Sequence, residues 1–373
     1  MYAQVLFQQK VGQESCCLTY KIPENMELQI GQGVKAPIRR KVANGIIWHI
    51  TEQKPEFKTL EIQEVISQKP LLSTNQIQLL KWISDYYFCD LNKVSKLFLP
   101  KKVLSGRFLK VKNKTSKETL PGKKKSITDD TSAADGSKLP TDLTLPPEQK
   151  NNSKTLTDEQ QKAFNEITTS IKNNFLIHGV TGSGKTEIYT QLANYYITKG
   201  KQVLILVPEI SLTPQIIEYF EKSLNIKAAV IHSKLSEGER ILAWKNIWES
   251  SSKLIIGSRS SIFTPYQNLG LIIVDEEHEN SYKQDQSPRY STHKVAEKMQ
   301  EFSPEIKIIY GSATPSIETA EKLKENTLPI KERIGNNPLP LVEIVDLREE
   351  FKKRNYSIFS DALQEAIEEA IRK

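Results

Sequence analysis

Asn174-Phe175-Leu176-Ile177-His178, followed by Gly179-Val180-Thr181-Gly182-Ser183-Gly184-Lys185-Thr186-Glu187, is the stretch that decides the fold. A strand-like apolar run enters a glycine-rich turn and leaves it as a helix, the setting that a G-x-x-x-x-G-K-[ST] loop requires. Glycines let backbone N–H groups curl around a phosphate with no Cβ in the way. The N-terminus of the following helix adds partial positive charge. Gly179, Thr181, Gly182, Ser183, Gly184, Lys185 and Thr186 are therefore expected to cradle ATP. Lys185 would reach the β- and γ-phosphates, and the Thr186 hydroxyl would ligate Mg²⁺.

Working outward, apolar runs alternate with amphipathic helices from Leu156 to Pro315. Strands are expected at Asn174 to His178, Val203 to Val207, Ala228 to His232, Lys253 to Ile256, Leu271 to Val274 and Ile306 to Tyr310. Unbroken apolar strands between helices indicate a parallel sheet covered on both faces, an α/β domain. The run Leu271-Ile272-Ile273-Val274 ends in Asp275-Glu276-Glu277-His278. Carboxylates at the carboxyl end of a parallel strand sit in the crevice where ligands bind. Asp275 is expected to hold Mg²⁺ through water, and Glu276 to orient and deprotonate an attacking water. Catalytic roles thus fall on Lys185, Asp275 and Glu276.

Upstream, residues 1–110 show short β-type runs broken by Pro23, Gly31, Gly33 and Pro37, which predicts a small β-rich domain. A helix is expected there on Ile77, Leu80, Ile83 and Tyr87, after the cap-like Ser73-Thr74-Asn75. Residues 111–153 are rich in Lys, Thr, Ser, Asp and Pro and contain no aromatic residue, so they read as a low-complexity linker. The segment 154–345 forms the ATP-binding lobe, and 346–373 begins a further one.

The net charge of +7 and pI near 9.0 fit a polyanionic partner, and fit a solvated lysine-rich surface as well. Cys16, Cys17 and Cys89 lack the C-x-x-C spacing of a zinc site and are expected to be reduced and buried. No run approaches the apolar length of a membrane span, and Met1 to Phe7 lacks the pattern of a signal peptide. The expected location is the cytoplasm.

D-E-E-H together with Gly311-Ser312-Ala313-Thr314-Pro315 resembles the superfamily 2 helicases, which have a RecA-like motor lobe. The resemblance implies that His278, Ser312, Ala313 and Thr314 relay phosphate state to a nucleic-acid groove. Leu156-Thr157-Asp158-Glu159-Gln160 resembles the glutamine motif that contacts adenine. Gln160 is accordingly a candidate reader, while Thr157-x-x-Gln160 reads equally well as a capping box.

Longer strings narrow the match. They are G-V-T-G-S-G-K-T-E-I-Y from Gly179, L-V-P-E-I-S-L-T-P-Q from Leu206, G-S-R-S-S-I-F from Gly257, and S-Y-K-Q-D-Q-S-P-R-Y from Ser281 to Tyr290. They resemble the replication-restart helicase family of primosomal protein N′ (PriA). In that family the aromatic-rich loop senses single-stranded DNA. Tyr282 and Tyr290 are then expected as stacking faces, with Lys283, Gln284 and Arg289 beside the phosphates. Ser258 and Arg259 are expected to track phosphates.

In the first domain Thr19, Tyr20 and Lys58 align with the family's 3′-end-binding domain. Arg39 stands where a pocket glycine is common, and Thr19 where an aspartate often sits. The resemblance implies an ATP- and Mg²⁺-dependent 3′→5′ DNA helicase that recognises stalled forks and starts primosome assembly. It implies primosome proteins and single-stranded DNA-binding protein as partners, and a monomer. The family's winged helix is expected to be missing or vestigial here. Its second lobe, arginine finger and zinc module are expected beyond Lys373, so zinc ligands are none in this chain. The alternatives are another superfamily 2 translocase, or a non-catalytic DNA-binding scaffold that senses nucleotide.

Overall fold

The computed structural model describes residues 1–11, 16–110, 155–336 and 342–372. The expected linker at 111–153 lies outside the described residues. The first segment forms β1 (Tyr2–Phe7), β2 (Cys17–Lys21), β3 (Gly33–Ile38), β4 (Lys41–Thr51) and β5 (Glu64–Val65). They make an antiparallel five-stranded sheet in the order β2-β1-β4-β3-β5. Alternation places Ala3, Val5, Phe7, Val34, Ala36 and Ile47 in one core. Pro37 hides β3 from a reading based on strand propensity. It is tolerated near the strand end, where its carbonyl accepts the Tyr20 hydroxyl at 2.7 Å.

Three helices follow: α1 (Thr74–Tyr86), α2 (Leu91–Phe98) and α3 (Lys101–Leu104). Ser73 caps α1 through a reciprocal pair with Gln76, as its sequence suggests. The Gln76 amide then donates to the Thr264 carbonyl at 2.9 Å, 188 residues away in sequence.

The nucleotide-lobe elements are α4 (Asp158–Thr169), β6 (Asn174–Gly179), α5 (Lys185–Thr198), β7 (Gln202–Leu206), α6 (Pro214–Leu224), β8 (Ala228–Ile231), α7 (Glu237–Trp248), β9 (Leu254–Gly257), β10 (Leu269–Asp275), α8 (Thr292–Phe302), β11 (Lys307–Ser312), α9 (Ile317–Lys322) and β12 (Thr327–Ile330). Seven parallel strands run in the order β12-β6-β11-β10-β7-β9-β8. Two apolar clusters line this sheet. Each of the six expected strands is present, within one or two residues at its ends. β12 has no strand-like run to announce it. Its Pro329 sits on an edge strand, where a missing N–H is harmless.

One feature escapes any local reading of the sequence: the N-terminal domain and the nucleotide lobe share apolar packing. Phe108 lies edge-on to Trp244 and Trp248, with ring centres 5.5 and 5.3 Å away. The indole N–H groups of Trp244 and Trp248 donate to the carbonyls of Phe98 and Pro70. The Lys69 ammonium sits 4.0 Å above the Trp248 ring. Met1–Glu332 accordingly forms one compact unit, and Arg333–Lys373 a second. In the second unit, α10 (Leu347–Lys352) precedes α11 (Asp361–Arg372), whose Leu363, Ile367 and Ile371 are exposed. Among the described residues no helix is long and apolar enough to cross a membrane. Cys89 is buried as expected, whereas Cys16 and Cys17 are only partly so, because they open the edge strand β2.

Candidate functional site

The strand order puts the decisive segments side by side. β11 lies between β6 and β10, and the pairings Ile177–Gly311 and Gly311–Asp275 align the three carboxyl ends. Sheet topology thereby brings residues nearly a hundred positions apart in sequence to one crevice.

At the end of β6 the loop turns through Gly182 (φ +81°) and Gly184 (φ +77°), a left-handed conformation that glycine adopts without strain. Gly184 is the N-cap of α5, whose first-turn N–H groups have no intrahelical acceptor. The buried Lys185 ammonium donates to the Gly179 carbonyl at 2.9 Å, holding the loop closed on itself. The Ser183 hydroxyl is buried without a hydrogen-bond partner. An orphaned donor, a buried cation and a helix N-terminus together suit a polyphosphate.

Gln160 is held by the capping box and by the phosphate loop in this structure. Its side chain is 2% exposed and both ends are engaged. The carboxamide oxygen accepts the Thr157 N–H at 3.0 Å, completing the capping box, and the nitrogen donates to the Ser183 carbonyl at 2.8 Å. Gln160 is therefore a brace between α4 and the phosphate loop.

On the acidic side, Asp275 accepts the Tyr189 hydroxyl at 3.0 Å. Burial and the neighbouring Glu276 charge push the Asp275 carboxyl up to about 6, against the opposing pull of Tyr189 and Lys185. Glu276 has φ +44°, an uncommon conformation for a residue with a side chain and one that clusters at functional sites. The His278 Nδ1 and the Ser312 hydroxyl lie 2.8 Å apart, and Ser312 also accepts the Thr314 N–H at 3.0 Å. D-E-E-H and S-A-T are thus joined by one hydroxyl. A Cβ on Gly311 would meet the Tyr189 hydroxyl at 1.7 Å, so this position requires glycine. Tyr189 closes the G-V-T-G-S-G-K-T-E-I-Y string with no role assigned to it there, although its place one helical turn after Lys185 points it at the same end of the sheet.

The nucleic-acid candidates divide sharply. Tyr282 and Tyr290 are each 2% exposed and offer no face to a strand. The Tyr282 hydroxyl donates to the carbonyls of Asp275 (2.6 Å) and Leu206 (3.0 Å), tying the loop to the ends of β10 and β7. Tyr290 packs against Phe263, with ring centres 4.8 Å apart. Arg259 donates to the carbonyls of Ser281 and Lys283, so it clamps the loop backbone. Ser258 is buried and closed off from solvent. Tyr20 is buried with its hydroxyl on Pro37.

The residues that remain open are Lys283 and Arg289 on the loop, Lys58, and the partly exposed Gln284 and Thr19. Arg39 has φ +54° in the turn between β3 and β4, a conformation that favours glycine. The glycine expected there by resemblance has a physical reason.

A parallel sheet that gathers a G-x-x-x-x-G-K-T loop, a D-E-E-H box and an S-A-T segment at its carboxyl edge defines a helicase motor lobe. Residues 157–323 match the DEAD/DEAH box helicase family, and residues 4–100 match the PriA 3′DNA-binding domain (3′BD). The replication restart protein PriA of Bacillus subtilis is 46% identical over 225 residues, covering 58% of this chain and 28% of that protein. Its counterpart in Rickettsia conorii is 34% identical over 353 residues, covering 94% of this chain and 49% of the relative. Over nearly its whole length the chain is similar to replication restart proteins PriA, with a PriA-type 3′DNA-binding domain followed by a DEAD/DEAH box helicase domain. It spans about half the length of most of the curated relatives it matches. A solved structure of RecG bound to three-way DNA junction is 21% identical over 53% of this chain and 27% of that one, with a TM-score of 0.40. The fold assignment rests on the strand order alone.

Proposed function

We propose that this chain carries the nucleotide-binding lobe and the 3′-end-binding domain of an ATP-driven 3′→5′ DNA helicase that restarts stalled replication forks. The observation that carries the reading is the meeting of three motifs at one sheet edge, with His278 and Ser312 joined at 2.8 Å. Lys185 would leave the Gly179 carbonyl for the β- and γ-phosphates. The Thr186 hydroxyl and the Asp275 carboxylate would hold Mg²⁺, with waters and phosphate oxygens completing its shell. Bound there, the ion would neutralise charge on the phosphates. Glu276 would orient and deprotonate the attacking water, and His278 with Ser312 would register the state of the γ-phosphate.

DNA contact is assigned to the open cations Lys283, Arg289 and Lys58. The buried tyrosines are excluded from it. Fork recognition, primosome proteins and single-stranded DNA-binding protein as partners, and a monomeric state belong to the same proposal by family resemblance.

Lys185→Ala tests the nucleotide assignment. Binding of an ATP analogue should weaken by at least about tenfold, corresponding to about 1.4 kcal/mol. Thermal stability in the absence of nucleotide should stay near wild type. Wild-type affinity in the variant would overturn the assignment.

A further inference from the structure

Glu277 takes no part in the hydrolytic chemistry proposed above, yet its side chain is only 1% exposed. One carboxylate oxygen accepts the Ser316 N–H at 2.6 Å, and the other accepts the hydroxyls of Ser316 (3.1 Å) and Thr319 (2.8 Å). Its own N–H donates to the Gly311 carbonyl at 3.1 Å. Burial works against its charge, but the nearby His293 and the donors from Ser316 and Thr319 outweigh burial and hold the carboxyl below the ordinary glutamate range. A buried carboxylate this fully satisfied fixes both elements it touches.

The other side of the carboxylate leads to the Ser281–Tyr290 loop. His293 Nε2 lies 3.4 Å from Glu277, out of line for a hydrogen bond and within ion-pair reach. The His293 ring stacks on Tyr310 (5.3 Å, interplanar angle 2°) and meets Tyr282 edge-on at 5.6 Å. The preceding Thr292 hydroxyl donates to the Tyr282 carbonyl at 2.8 Å. A continuous path of contacts therefore runs from the loop through Tyr282, α8 and His293 to Glu277, and on to Ser316 and α9.

We infer that Glu277 is a positioning residue that, with His293, makes the Ser281–Tyr290 loop and the Gly311–Ser316 segment shift together, so that a strand on the loop is felt at the Glu276–His278–Ser312 cluster. The inference rests on the proposed function, because it presumes that the loop meets DNA and the cluster meets nucleotide. A brace that serves stability alone would lower the melting temperature on removal and leave the two ligands coupled as before. A positioning residue acts on the coupling itself, which linkage makes measurable from either ligand.

The test uses the whole 373-residue chain. Affinity for a non-hydrolysable ATP analogue with Mg²⁺ is measured with and without a short single-stranded oligothymidylate. In the wild type, DNA should tighten nucleotide binding by about fivefold or more. Glu277→Gln keeps the side-chain volume but places an amide N–H₂ among donors. It should bring the coupling to within about twofold of unity, while each ligand alone binds within about twofold of wild type. Thr319→Val removes a donor at the far end of the path and should change coupling in the same direction. It decides the matter if the Glu277 variant does not fold. Full coupling in a folded variant overturns this inference and leaves the proposed function standing. A wild-type chain that binds both ligands without any coupling overturns both.

Discussion

At the residue scale the site depends on a few side chains whose surroundings set their chemistry. Asp275 is raised to about 6 by burial and by Glu276, and metal capture requires its ionised form. Affinity for Mg²⁺-nucleotide is therefore expected above about pH 6 and should fall about tenfold per unit below it. Metal-free nucleotide affinity should change much less across that window. Calorimetric titration over the acid range checks this, and a flat profile would mean that Asp275 does not hold the ion. Without metal the same shift acts on folding with the opposite sign. A carboxyl raised above its unfolded value favours the folded state at low pH, and that contribution is lost as pH rises through about 6.

Among the structural elements, the Ser281–Tyr290 loop joins two kinds of residue in one segment. Its aromatic positions point inward as struts, and its cations stay in solvent. The two kinds should separate by mutation. Tyr282→Phe keeps the ring and deletes the hydroxyl that reaches the carbonyls of Asp275 and Leu206. It should destabilise the chain by about 1–3 kcal/mol, since two buried acceptors lose their donor, and leave DNA affinity near wild type. Lys283→Ala with Arg289→Ala should reverse that pattern, with unchanged melting and weaker, less salt-dependent DNA binding. Thermal melts and salt-titrated binding of a single-stranded oligonucleotide read the two effects. Strong loss of DNA affinity in Tyr282→Phe at unchanged stability would mean that the hydroxyl meets DNA instead of bracing the two carbonyls.

For the whole molecule, the consequential feature is that Met1–Glu332 is one unit. Phe98, Phe108, Trp244 and Trp248 belong to a single apolar cluster drawn from both the N-terminal domain and the nucleotide lobe. Trp244→Ala removes a buried indole together with its bond to the Phe98 carbonyl. A loss of about 3–5 kcal/mol is expected, with the two domains melting in one shifted transition. Two separated transitions in the wild type would show that the junction does not unite them.

Local pattern was enough for the α/β class, six strands of the parallel sheet, the phosphate loop and the acidic box. Each is written in contiguous residues: an apolar run of strand length, glycines where φ is positive, and charge immediately after a buried strand. Capping boxes at Ser73 and Thr157 are equally local, because a cap joins residues three apart. The bond between His278 and Ser312, the Tyr189 contact that demands glycine at 311, and the buried node at Glu277 depend on which strands are neighbours, and β11 takes its place between β6 and β10 only in the folded sheet. Exposure likewise belongs to the tertiary structure. An aromatic residue in a polar loop reads alike whether its ring stacks on a base or packs against Phe263, and only the fold, by closing the loop over β7 and β10, turned Tyr282 and Tyr290 inward.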